Sequence, residues 1–115
     1  MSAHIRCNDK IILHVRNATF NFFYDNLLFV VEESNLLLSK NLHKLMEKLE
    51  LGIYGVGCDI ADFVKNERDA KDFIRLVKQA LDRYTKEYPT LSVEIKDAMQ
   101  NFYQELLKYA EELKD

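Results

Sequence analysis

The order of apolar and polar residues divides the chain into two parts. The first third contains three β-rich runs, Lys10–Arg16, Thr19–Tyr24 and Leu27–Glu32, which are separated by the pairs Asn17-Ala18 and Asp25-Asn26. Asp and Asn tolerate the positive φ of tight hairpin turns, so Asp25-Asn26 is the stronger turn signal. The pattern predicts three consecutive antiparallel strands.

Pairing the residues that flank each turn sorts the side chains of these runs into two faces, because strand side chains alternate with period two. One predicted face is entirely apolar or aromatic, and the other is polar at one end. Upstream, Ile5–Cys7 could add a fourth strand through an Asn8-Asp9 turn. The apolar face collects Ile11, Leu13, Val15, Phe20, Phe22, Tyr24, Leu27, Phe29 and Val31.

Beyond residue 33 the apolar residues recur at three- and four-residue spacing, which is typical of half-buried helices. The first predicted helix is Ser34–Leu51, and Gly52 ends it. A connector over residues 53–66 follows, with one helical turn near Asp59–Val64. The apolar stripe of the predicted helix Ser34–Leu51 is Leu38, Leu42, Leu45, Met46 and Leu49.

Two longer helices are predicted after the connector. Asn66 is a good N-cap for the first of them, and Pro89 ends it. Thr90 or Ser92 caps the second, with acidic residues near its positive end. The first stripe is Ala70, Phe73, Ile74, Val77, Leu81 and Tyr84; the second is Ile95, Met99, Phe102, Leu106, Tyr109 and Leu113.

These elements predict an α+β fold in a single domain over residues 1–115. An antiparallel three- or four-stranded meander (residues 1–33) would be covered on one face by two or three C-terminal helices (residues 34–115). The composition, 48% hydrophobic and 30% charged, is that of an ordinary globular protein.

Charge and cysteine usage narrow the function classes. The net charge of −3 argues against a dedicated nucleic-acid binder, which usually has a basic stripe. The acidity lies in residues 89–115, which carry three Lys/Arg and six Asp/Glu. Cys7 and Cys58 form no C-x-x-C pair, so free thiols are expected and zinc is not. No signal peptide or bilayer-spanning stretch is evident, so the expected location is the cytoplasm.

No constellation in the sequence indicates catalysis, a metal or a cofactor. The strand register places no Ser, Cys or carboxylate beside His14, and His4 and His43 are expected at the surface. Gly52, Gly55 and Gly57 form neither the dinucleotide fingerprint nor a P-loop. They indicate a turn that needs positive φ and close backbone packing.

The connector also carries two acids and a tyrosine. Asp59 and Asp62 would share one face of a helical turn, which fits helix capping, or an acidic surface presented to a basic partner. Tyr54 lies nearby, and tyrosine is a frequent interface anchor. The aromatics Phe20, Phe22 and Tyr24 are expected in the core and not on an RNA-stacking platform, because no Lys or Arg is interleaved with them.

The segments Gly52-Ile-Tyr-Gly-Val-Gly-Cys-Asp-Ile-Ala-Asp-Phe-Val and Asn66-Glu-Arg-Asp-Ala-Lys-Asp-Phe-Ile-Arg-Leu-Val-Lys-Gln-Ala-Leu give the chain a family resemblance. With the later Phe102-Tyr-x-Glu-Leu-Leu-x-Tyr, this layout resembles small bacterial immunity proteins of polymorphic toxin and contact-dependent growth inhibition systems. The resemblance covers about the last two-thirds of the chain.

The resemblance implies a non-catalytic protein without cofactors, which binds a cognate toxin domain and occludes its active site. The toxin would be a nuclease with a basic groove, and neither nucleic acid nor membrane would be bound directly. The first candidate surface is Tyr54, Asp59, Asp62, Glu67 and Asp69. The second is the exposed sheet face with Asn21, Glu32 and Glu33.

Two alternatives remain open on sequence grounds. The first is a regulatory or adaptor module that forms a homodimer through its long, aromatic-striped C-terminal helix. The second is a small enzyme, which would need a convergent polar pocket. The oligomeric state and the identity of the toxin stay open.

Overall fold

A β-hairpin begins the fold. In the computed structural model, which describes residues 2–35 and 37–114, β1 (Ser2–Cys7) pairs antiparallel with β2 (Lys10–Arg16). Asn8 and Asp9 join them with φ of 53° and 67°, as expected of a type I′ turn. The strand and turn predicted upstream of Lys10 are therefore confirmed, and β1 begins earlier than predicted.

A β-bulge interrupts the regular alternation of β2. Ile5 pairs with Leu13 and Arg6 with Ile11, which leaves Ile12 as the extra residue. Ile12 and Leu13 are consequently both buried, whereas Ile11 is 56% exposed. The prediction that Ile11 shares the buried face with Leu13 is wrong. The extra residue Ile12 shifts the alternation by one position, so Ile11 and Leu13 lie on opposite faces of the strand.

The next element is a helix, α1 (Asn17–Ser34), where two strands were predicted. The predicted strands Thr19–Tyr24 and Leu27–Glu32 are therefore wrong, and so are the turns Asn17-Ala18 and Asp25-Asn26. The β-meander over residues 1–33 is reduced to the hairpin. The buried apolar residues of α1 have helical spacing and draw on both predicted strand faces; they are Phe20, Phe23, Tyr24, Leu27 and Val30.

Two phenylalanines on the outer side of α1 are partly covered by α3 (Glu67–Glu87) and by Tyr88, the residue that follows it. Phe22 was predicted on the buried face but is 43% exposed, and its ring centroid lies 5.3 Å from that of Tyr88. Arg83 places its guanidinium 3.5 Å above the ring of Phe29. These aromatic and cation–π contacts shield apolar surface that α1 exposes because its apolar residues are not confined to one side of the helix.

The third strand comes from the connector and makes the sheet mixed. β3 (Cys58–Asp59) runs parallel to β1, pairing Ile5 with Cys58 and Arg6 with Asp59. The strand order is β2-β1-β3, so β1 is central. The predicted sheet was purely antiparallel, and this part of the prediction is corrected.

The remaining helices agree with the sequence pattern. α2 (Lys40–Glu50) is shorter than predicted, because Ser39 caps its start by accepting a hydrogen bond from the Leu42 amide. Leu36, which belongs to the predicted helix, lies outside the described residues. Asn66 caps α3 by accepting from the Asp69 amide at 2.8 Å. Ser92 caps α4 (Val93–Glu112) in the same way.

The fold is α+β, with α1 and α4 both in contact with the hairpin. Buried apolar residues from Ala3 to Tyr109 form one cluster. At its centre the rings of Phe23 and Phe102 meet edge to face at 5.7 Å. The Tyr109 hydroxyl donates to the Val64 carbonyl at 2.6 Å, which ties α4 to the connector.

Both cysteines are buried free thiols, as the sequence predicted. Burial is the main cause that raises the pKa of the Cys7 thiol to about 11 and that of Cys58 to about 12. We therefore expect slow reaction of the native protein with a disulfide reagent at pH 8, and fast reaction in urea, since the thiolate is the nucleophile.

The same shifts give stability a pH dependence. Above the ordinary thiol pKa of 9.0 the unfolded chain loses protons that the folded protein retains. The free energy of unfolding should therefore fall as the pH rises from about 9 towards 11 and beyond. The double variant Cys7→Ala/Cys58→Ala is the control, and an equally steep fall in that variant would contradict the assignment to the thiols.

Candidate functional site

The connector between α2 and α3 forms a closed loop. A 3-10 turn over Leu51–Tyr54 follows α2, and Gly55 then adopts a φ of 84°. The Gly55 amide donates to the Gly52 carbonyl at 3.1 Å, and the Val56 amide to the Leu51 carbonyl at 3.4 Å. A left-handed φ is strained for residues with a Cβ, so glycine suits position 55.

The other two glycines let the loop pack closely against the body of the protein. A Cβ on Gly52 would lie 2.7 Å from the Phe20 ring, and one on Gly57 would lie 2.8 Å from Nε2 of His4. The loop is therefore held against both α1 and β1. The prediction that the three glycines serve a positive-φ turn and close packing is confirmed.

Among the described side chains of this loop, three large apolar ones are exposed. Tyr54 is 73% exposed, Leu51 45% and Val56 36%. The hydrogen bonds of the loop bring residues 51 and 56 together, so these side chains occupy one short stretch of surface. We call Leu51, Tyr54 and Val56 the connector surface. Apolar side chains on an anchored backbone are a common form of protein-binding site.

Asp59 anchors the connector instead of facing a partner. Its carboxylate accepts from the amides of Asn8 at 3.0 Å, Asp9 at 2.9 Å and Ala61 at 3.0 Å. It thereby caps the 3-10 turn Ile60–Asp62 and holds the β1–β2 turn against it. Of the two roles considered for this residue, capping is the one observed.

The other acidic residues of the first predicted surface have different environments. Asp62 is exposed, whereas Glu67 forms an ion pair with Lys71 at 2.9 Å. Asp69 is only 4% exposed, and its carboxylate accepts from the Asn66 side-chain amide at 3.3 Å. Including Asp69 in an exposed surface was therefore wrong. Tyr54 and Asp62 are the members that remain accessible and without a structural partner among the described residues.

The second predicted surface is on a helix and not on a sheet face. Asn21, Glu32 and Glu33 are all exposed, but α1 carries them. Asn21 and Glu32 are eleven residues apart, which corresponds to about three turns and places them on the same side of α1. The assignment to a sheet is corrected, and the exposure of these residues is as predicted.

The sequence reasoning missed one polar pair. Ser2 Oγ lies 2.9 Å from Nε2 of His14, across the β1–β2 pairing, at a groove that Arg16 and Glu94 also line. The predicted register began only at Ile5, so it could not place Ser2 there. Over residues 2–35 and 37–114, no carboxylate lies within ion-pair distance of His14. Within this part of the chain, no carboxylate therefore orients the His14 ring.

Neither a metal-binding cluster nor a membrane-spanning helix occurs in residues 2–35 and 37–114. No group of three or more His, Cys, Asp or Glu residues is arranged to hold a metal ion in that part of the chain. None of its helices combines the length and the apolar character that crossing a membrane requires. Comparison with protein-family models, with curated proteins and with solved structures found no match for this chain.

Proposed function

We propose that this protein is an immunity protein, which binds a cognate bacterial toxin domain in the cytoplasm and occludes its active site. The observation that carries the proposal is the connector surface, on which Leu51, Tyr54 and Val56 are exposed. The contacts of Gly52 and Gly57 hold the loop in place before binding. Such a surface loses little conformational entropy on association, which favours tight binding.

Charge supports the same partner class. Glu50, at the end of α2, and Asp62, within the connector, are both exposed; Lys65 is the exposed cation of the same segment, and the whole chain carries −3. A nuclease must hold phosphates in a basic groove, so acidic groups around a tyrosine anchor would speed association with it. The resemblance of residues 52–81 to immunity proteins points to the same class. We therefore propose a basic nuclease as the toxin.

The homodimeric adaptor finds less support. Its basis in the sequence was the aromatic stripe of α4, and four residues of that stripe, Met99, Phe102, Leu106 and Tyr109, are buried in the core. These side chains therefore pack inside one chain and are not available to contact a second copy.

A growth-rescue experiment tests the proposed function. The toxin-type domain encoded immediately upstream of this chain's gene is expressed in a neutral bacterial host, with and without this protein. We expect the domain alone to arrest growth and co-expression to restore it. Toxicity that persists with this protein, or a harmless domain, would overturn the proposal.

Tyr54→Ala is expected to weaken toxin binding by about 2 kcal/mol, roughly thirtyfold in Kd, because an exposed tyrosine at the centre of an interface is a typical hot spot. Its folding stability should change by less than about 0.5 kcal/mol, since Tyr54 is largely exposed in the free protein. Titration calorimetry against the purified toxin domain measures the first effect, and urea unfolding the second.

Val93→Ala is the matched control, because Val93 is a similarly exposed apolar residue at the start of α4, outside the connector. Asp62→Lys tests the charge and should mainly slow association. If Tyr54→Ala binds as tightly as Val93→Ala, the connector surface is not the toxin site, even where rescue itself succeeds.

A further inference from the structure

A second surface lies between α3 and α4, on residues that the proposed toxin site does not use. The two helices are antiparallel neighbours joined by residues 88–92. Between them runs an open groove of about 700 Å³. It is bounded by residues 71–79 of α3 and, on the other side, by residues 103–114, which comprise the second half of α4 and the two residues after it and span roughly 17 Å or three helical turns.

The floor of this groove is apolar and half-buried. It is formed by Ile74 on α3 and by Tyr103, Leu107 and Ala110 on α4. Both helices thus contribute to one continuous apolar strip that is open along its length. Such a strip matches the apolar face of an added helix, whose anchors recur at three- and four-residue spacing.

Cations predominate among the charged side chains that line the groove. The lining residues include five cations and a single carboxylate, that of Glu111, although the whole chain carries −3. Cations stand on both walls, so a ligand would meet positive charge on both flanks. The five are Lys71, Arg75 and Lys78 on α3, Lys108 on α4, and Lys114 just after α4.

These cations are already in ion pairs, but the pairs are exposed and weak, so the cations can still interact with a ligand. Each is paired with an acid three or four residues away in the chain, for example Lys78 with Asp82 at 3.0 Å. The five cationic side chains are between 52% and 72% exposed. Exposed pairs of this kind contribute only about 0.3–0.5 kcal/mol, so exchanging the partner costs little.

We propose that the α3–α4 groove binds an acidic amphipathic helix of a partner protein, with apolar residues on the strip and Asp or Glu against the rim. Charge complementarity selects this occupant. A symmetric dimer through the same groove would set two basic rims against each other, which disfavours a second copy of this chain. An acyl chain would favour an enclosed cavity, whereas this groove is open along its length.

Two synthetic helical peptides of about three turns test the proposal. Both carry leucines at three- and four-residue spacing; one has glutamate and the other lysine at the flanking positions. Fluorescence anisotropy with the full chain should give a Kd at least tenfold lower for the glutamate peptide. The difference should shrink between about 0.05 and 0.5 M salt, since exposed charges are screened.

Two matched triple variants test whether the glutamate peptide binds in the α3–α4 groove. Lys71→Gln/Lys78→Gln/Lys108→Gln should abolish the preference for the glutamate peptide. Lys44→Gln/Lys65→Gln/Lys86→Gln removes the same charge from exposed lysines outside the groove and should keep the preference. Tyr54→Ala should also keep it, which separates this site from the connector surface.

Three results would overturn the proposal. They are the absence of saturable binding of the glutamate peptide, equal binding of both peptides, and equal losses in the two triple variants. Binding to phosphatidylglycerol vesicles but not to the glutamate peptide would likewise overturn it, and would assign the rim to a membrane surface.

Discussion

Asp25→Pro should lower the free energy of unfolding by about 3 kcal/mol or more, because it places proline in the interior of α1. Asp25 is exposed in the middle of Asn17–Ser34, so the substitution removes no packing. Proline instead removes a backbone donor and clashes with the carbonyl four residues earlier. A domain of this size has about 5–15 kcal/mol of stability, so urea unfolding should show a large shift of the midpoint.

Two further substitutions at Asp25 separate the helix from the turn that the sequence predicted. In a helix, Asp25→Ala should be neutral or stabilising, and Asp25→Gly should cost about 0.5–1 kcal/mol. In a tight hairpin turn the order would be reversed, since glycine adopts positive φ without strain. A more stable glycine variant together with a less stable alanine variant would contradict the helix.

Phe102→Ala should cost about 3–5 kcal/mol, which is the usual range for removing a fully buried aromatic ring. Phe102 is completely buried, and its ring packs edge to face on Phe23 of α1. The cavity left behind would lie between α4 and α1, where the ring of Phe102 now contacts that of Phe23. Thermal or urea unfolding followed by circular dichroism measures the loss.

A double-mutant cycle with Phe23→Ala isolates the contribution of the ring pair, which should be about 0.5–1.5 kcal/mol. Phe29→Ala is the control for aromatic truncation on a helix, since Phe29 is partly exposed beneath Arg83. It should cost about 1 kcal/mol or less. A Phe102→Ala variant no less stable than Phe29→Ala would contradict the central position of Phe102.

The sequence predicts α3 and α4 well because several independent signals coincide there. Asn66 and Ser92 cap the helices, Pro89 separates them, and the apolar stripes lie on the buried sides. The Asn8-Asp9 turn, offered by the sequence as a possible link to a fourth strand, is also local, since both residues accept positive φ. Local chemistry determines each of these features, so sequence alone is sufficient to predict them.

The error at α1 has a physical cause. Between Phe20 and Val31 most residues are apolar, so both a period of two and a period of 3.6 can be selected from them. Phe, Tyr and Val also favour strands, and tertiary packing overrode that preference. The helical signal in the sequence is the three- and four-residue spacing of Phe20, Phe23, Leu27 and Val30, which are the residues that are buried. The additional apolar residues Phe22 and Phe29 obscured this spacing.

The candidate site was predicted only in part, because long-range pairing determines it. Tyr54 and the glycines could be identified from local sequence. The parallel pairing of Cys58 with Ile5, and the bonds of Asp59 to the Asn8 and Asp9 amides, join residues about fifty positions apart. The α3–α4 groove likewise depends on which faces of two helices meet.

The central position of β1 has a consequence for synthesis of the protein. β1 precedes every other element in the chain, yet one of its two neighbouring strands, β3, lies at residues 58–59. The sheet can be completed only after Asp59 has been translated, about fifty residues after the end of β1. Until then the nascent hairpin exposes an unpaired edge at Ile5 and Arg6, which another chain could pair with.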